Sequence, residues 1–149
     1  MTDSRGFSLL ELLIVVAIIL IIATIAIPNI LRAHQAADEA AAVSTLKTIN
    51  TVQVTYSSSG GKFGTLAQLV SEGLLDSRFV AGAVSGYAFA VTASGLDYTA
   101  TATPASANSG RFAYFTLPDG VVRYSTATSG CGGPGGNCFP SGVSGQPVQ

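Results

Sequence analysis

A single carboxylate, Glu11, stands inside the most apolar stretch of this 149-residue chain, the run GFSLLELLIVVAIILIIATIAIP from Gly6 to Pro28. A carboxylate in hydrocarbon is expensive and is kept only by protonation or by a cation beside it, so Glu11 is a candidate for charge recognition. The only cysteines, Cys131 and Cys138, are separated by six residues in GCGGPGGNC. A pair so isolated in a small-residue loop reads most simply as a disulfide, which requires an oxidising compartment. A metal site would need two further ligands, and a redox CxxC motif has a different spacing. The one histidine, His34, shares a helical face with Asp38 at i, i+4, but no third ligand is apparent. No Ser-His-acid set, paired-carboxylate site or phosphate loop emerges either, so catalysis is not expected and no cofactor is called for.

The element that must position Glu11 is a helix. Phe7 to Ile27 is 21 residues, and 15 of them are Leu, Ile, Val or Phe. As a helix that length rises roughly 31 Å, about the thickness of a hydrocarbon core. Its apolar residues favour insertion by roughly 5 to 9 kcal/mol against a cost of about 3 for one acid, so insertion wins. The leading segment, MTDSRG, carries Arg5 as its only base, which keeps this end cytoplasmic and sends the C-terminus outward. A secretory signal peptide fits less well, because its apolar region is shorter and ends at small residues, whereas this run ends in Ile27-Pro28-Asn29. Pro28 cannot donate to the Thr24 carbonyl, and its ring crowds that group, so a kink or loosening is expected there.

These residues resemble the N-terminal signature of type IV pilins and of the pseudopilins of type II secretion: Gly6-Phe7, then Ser8, the acid Glu11, a long apolar run and Pro28. The likeness covers residues 5–32. It implies that a prepilin peptidase cuts between Gly6 and Phe7 and methylates the new Phe7 amine. It also implies that Glu11 meets a neighbour's Phe7 amine as subunits enter a helical filament. Family members often carry a glycine at the position of Leu20, in a segment that unwinds on assembly, and Leu20 puts such unwinding between Leu20 and Pro28 in doubt here. Major pseudopilins carry a calcium site near the C-terminus, yet no acidic side chain follows Asp119 in this chain.

After Pro28, Asn29 to Tyr56 holds no Gly or Pro and many alanines, which favours continued helix. Val43, Leu46, Ile49, Val52 or Gln53, and Tyr56 recur every three or four residues and need a partner surface, most simply a sheet of the same chain. Asp38, Glu39, Lys47 and Asn50 are expected on the opposite face. The turn chemistry of Ser57 to Gly61 ends the helix, and Thr65 to Leu75 reads as a short helix capped by Thr65. From Gly86 the period becomes two. Tyr87, Phe89 and Val91 mark one strand, and Leu96 with Tyr98 marks the next, joined through Ser94-Gly95. Phe112 and Tyr114, a Pro118-Asp119-Gly120 turn and Val121 to Tyr124 make a second hairpin.

The expected fold is α+β and pilin-like, a long N-terminal helix packed on a four-stranded antiparallel sheet. The expected divisions are a leader at 1–6, a helix at 7–58 with 7–27 crossing the membrane or lining the filament, and a head at 59–149. The formal net charge of −1 supplies no basic stripe for nucleic acid. The expected partners are therefore copies of the same chain, prepilin peptidase, the inner-membrane pilus assembly machinery and the membrane itself. The chain would sit in the inner membrane with its C-terminus in the periplasm, then leave in an extracellular pilus. A type II secretion pseudopilin is the alternative within this class. A monomeric signal-anchored binding or sensor domain is the alternative outside it, and would keep residues 1–6 and need no Glu11.

Overall fold

The computed structural model describes residues 7–126 and 146–148. The chain divides into two compact units, residues 1–34 and 35–149. One α-helix, α1 (Leu9–Gly60), contributes to both.

In the first unit, α1 begins directly after Ser8, whose carbonyl accepts the Leu12 N–H at 3.2 Å. Its leucines, isoleucines and valines lie on the surface, from Leu9 at 81% exposure to Val15 at 44%. The helix is long and apolar enough to cross a membrane. It also continues through Pro28 as one helix. The lost N–H costs one hydrogen bond, and the unbroken helix on both sides outweighs it.

In the second unit, α1 from Gln35 onward packs on an antiparallel sheet. The strands are β1 (Ala83–Val84), β2 (Tyr87–Ser94), β3 (Asp97–Pro104), β4 (Phe112–Thr116), β5 (Val122–Thr126) and β6 (Gln146–Pro147). They lie side by side in chain order, each antiparallel to the next. The expected four strands are β2 to β5. Six are present among the described residues because the two-residue strands β1 and β6 extend either edge, and elements so short carry no period-two signal. Two short helices precede the sheet, α2 (Leu66–Ser71) and α3 (Arg78–Ala81). As expected, Thr65 caps α2, and its N–H donates to Gln68 Oε1 at 2.8 Å. The helix is shorter than the expected Thr65 to Leu75, and α3 had no sequence signal of its own.

Alternation sets the core. Tyr87, Phe89, Tyr98, Ala100, Ala102, Tyr114 and Val122 bury one sheet face against Ala42, Leu46 and Ile49 of α1 and Leu69 of α2. Full burial of Leu46, Ile49 and Leu69 stabilises the fold by about 1.5 to 3 kcal/mol each. The β2–β3 turn is Gly95-Leu96, between the paired Ser94 and Asp97. Gly95 adopts φ +66°, as the first central residue of a mirror-type hairpin turn requires. Leu96 therefore leaves the strand to which its alternation assigned it and stands 82% exposed at the tip. The helix runs to Gly60, two residues past the expected end at 58, and Gly61 at φ +66° donates its N–H to the Ser57 carbonyl at 2.7 Å.

Two side chains expected to face water do not. Glu39 is buried, and its Oε1 accepts the Arg111 backbone N–H at 2.8 Å and the Arg111 Nε at 3.2 Å. Asn50 lies between α1 and the sheet, where its Nδ2 donates to Thr116 Oγ1 at 2.9 Å and its Oδ1 accepts the Tyr98 hydroxyl at 2.7 Å. Lys47 is exposed as expected, and Asp38 is half-buried.

Candidate functional site

The candidate site is the surface of the first unit around Glu11. Phe7 is 76% exposed, ahead of the helix, and Glu11 is exposed one turn further on. Ser8, Leu9 and Leu12 line a shallow open depression with Phe7. Gly6, the other half of the expected cleavage pair, lies outside the described residues, as do Cys131 and Cys138. The next polar side chain along the run is Thr24, whose hydroxyl donates to the Ile21 carbonyl at 2.7 Å and so satisfies itself within the helix. Beyond it come Pro28, Asn29 and Arg32, all exposed. Neither Glu11 nor Arg32 has an ion pair among the described residues.

This surface offers a hydrophobic wall with one acid and, past the proline, one base. It holds no nucleophile with an adjacent general base. Among the described residues no three His, Cys, Asp or Glu side chains converge, and His34 and Asp38 acquire no third ligand. Apolar surface of this extent marks a site of contact with lipid or with protein.

Residues 1–27 match the prokaryotic N-terminal methylation motif. That motif is the hallmark of type IV pilin and pseudopilin precursors, and it is carried by structural subunits rather than enzymes. It spans residues 1–6, Phe7, Glu11 and nearly all of the apolar run. No curated protein and no solved structure matches the chain. A methylation motif followed by a helix this long and apolar is consistent with membrane anchoring.

The polar contacts of the second unit hold the fold. Gln53 is fully buried, its Nε2 donating to the Gly64 carbonyl at 2.6 Å while its Oε1 accepts the Gly64 N–H at 3.0 Å. The choice left open between Val52 and Gln53 thus falls to the polar residue, because its amide pairs both backbone groups of a buried glycine. Asp119 accepts from Arg123 Nη2 at 2.6 Å and from the Val121 N–H at 3.0 Å. With that carboxylate committed to a guanidinium, the described residues here do not fit the calcium site that a likeness to major pseudopilins implies. Sequence reasoning missed the Glu39–Arg111 pair. Its signal was phase, since Glu39 stands seven residues before Leu46, on the same helical stripe.

Proposed function

We propose that this chain is a type IV pilin-like structural subunit that waits in the inner membrane, is cleaved and methylated at Phe7 by prepilin peptidase, and polymerises into a helical surface filament. The observation that carries this reading is an apolar helical run whose leucines, isoleucines and valines from Leu9 to Ile27 are exposed, with one carboxylate near its start, inside an N-terminal methylation motif. The same exposed helix must be covered by lipid before assembly and by copies of itself afterwards. Commitment of Asp119 to Arg123 favours a pilin over a calcium-dependent pseudopilin. In this reading Glu11 acts in docking, as counter-charge to a neighbour's Phe7 amine, and Pro28 loosens the helix where it leaves the bilayer.

The test is Glu11→Leu as the only copy in the native host. Removing the one costly residue eases insertion, and folding of the second unit does not involve Glu11, so cleavage and membrane level should stay normal. Filaments should be lost, because a buried amine stripped of its partner disfavours each addition by more than about a hundredfold. Wild-type numbers of filaments from that variant would make Glu11 a passenger and favour a membrane-anchored binding domain.

A further inference from the structure

The ends of the apolar run carry one short pattern twice. Ser8-Leu9-Leu10-Glu11 and Asn29-Ile30-Leu31-Arg32 both read polar, apolar, apolar, charged, and corresponding residues are 21 apart. In an α-helix that offset is about 31 Å. It is also three heptads, a shift that presents the same faces again when parallel helices wind about one another. A second helix displaced by this length sets Glu11 against Arg32 and Ser8 against Asn29. The same shift lays Leu9 and Leu10 along Ile30 and Leu31.

All eight residues are exposed in the single chain, with Leu9 at 81%, Leu10 at 73%, Ile30 at 56% and Leu31 at 50%. The two charges are unpaired among the described residues. Arg32 is the only lysine or arginine from Phe7 to Leu46, so an acid on this surface has one side-chain base of permanent charge to meet. Opposite charges at matching positions of one helix, each flanked by apolar residues, are complementary to a second copy and repelled by an unshifted one.

We propose that Arg32 is the side-chain docking partner of Glu11 on a second copy of this chain, displaced by three heptads along the helix axis. The inference rests on the filament reading and adds to it a named contact. A carboxylate has two oxygens with about four lone-pair positions, so it accepts the planar fork of a guanidinium and still receives an amine. The pair neutralises both charges at the moment apolar surface closes over them, and it fixes the axial shift between copies.

The experiment expresses Arg32→Glu, Glu11→Arg and the two together, each as the only copy in the native host. Intact mass and membrane level are checked first, then sheared filaments are counted. Each single change should lower filament number by roughly tenfold or more, and the exchanged pair should exceed Glu11→Arg alone by several-fold while staying below wild type, because the Phe7 amine still lacks its carboxylate. Arg32→Lys should retain part of the wild-type number, since it keeps the charge and loses the fork. A second measurement does not depend on altering charge: Leu10→Cys combined with Leu31→Cys, at the same 21-residue offset, should cross-link copies into ladders under mild oxidation. Neither cysteine alone should do so. Wild-type filament numbers from Arg32→Glu, or an exchanged pair no better than Glu11→Arg alone at normal processing, would overturn the pairing. Absence of ladders from the cysteine pair in intact filaments would overturn it too. If the wild-type chain itself makes no filaments, the filament reading fails first.

Discussion

Asp119 holds the β4–β5 turn by accepting from several donors at once. Arg123 approaches through Nη1 at 3.2 Å and Nη2 at 2.6 Å, and the Val121 N–H adds a bond at 3.0 Å. The Arg123 hydrogen bonds are the main reason that the carboxyl lies below its ordinary value of 3.8, with the Val121 N–H helping and burial opposing. A carboxyl depressed by folding stabilises the fold above its unfolded value and stops doing so as pH falls through its folded one. Asp119→Asn should therefore melt below wild type at pH 7, and the gap should close as pH drops below about 4. Thermal melts of the detergent-solubilised chain across that range decide it; a gap independent of pH would mean that the turn is held by shape rather than charge. The Pro118-Asp119-Gly120 turn was readable from residue types, whereas the pairing was not, because nothing in the sequence marks Arg123 as buried. Glu39 and Asn50 were misplaced for the same reason. Residue type argued for water, while their partners, Arg111 and Thr116, lie 72 and 66 residues away and become neighbours only through the fold.

The elements were legible wherever one face is buried and the run is long enough to show its period. Strands β2 to β5 follow the alternation of Tyr87, Phe89, Tyr98 and Tyr114, and α1 follows the spacing of Val43, Leu46, Ile49 and Tyr56, with Leu46 and Ile49 in the core and Val43 and Tyr56 packed against it. What escaped was set by close packing between elements. Tyr87 on β2 is fully buried, its hydroxyl donates to the Phe112 carbonyl at 2.9 Å, and burial pushes that hydroxyl's pKa up. A Cβ at Gly110 would overlap the Tyr87 hydroxyl oxygen, so a glycine there lets β4 begin directly against the β2 tyrosine. Gly110→Ala should destabilise the chain by about 1 to 3 kcal/mol, as overpacking of a tight core does. Gly60→Ala is the matched control, since nothing lies within 4 Å of a Cβ at Gly60, and it should stay within about 0.5 kcal/mol. Equal melting of both variants would show that the β2–β4 contact gives way without cost.

For the whole molecule, one mass spectrum tests the compartment, the processing and the tail together. In the filament reading, residues 1–6 are removed by a peptidase on the cytoplasmic side after the apolar run has entered the membrane, and the methylation motif matched at residues 1–27 is what supports it. In the same reading, residues after the apolar run face an oxidising space, where Cys131 and Cys138 can join. A loop this short restrains the unfolded chain by roughly 2 to 3 kcal/mol in the loop-entropy account, a useful gain for a tail rich in glycine. Protein taken from its native envelope without reductant should therefore lack residues 1–6 and be heavier by one CH2, for an N–H replaced by N–CH3, and lighter by two hydrogens. Reductant should restore the two hydrogens and leave the methyl in place. Retention of Met1 to Gly6 would remove the main support for a filament subunit, because an unprocessed leader keeps Phe7 without the free amine that Glu11 is to meet. A processed chain with two reactive thiols would leave the filament reading standing and show that the cysteine loop is open.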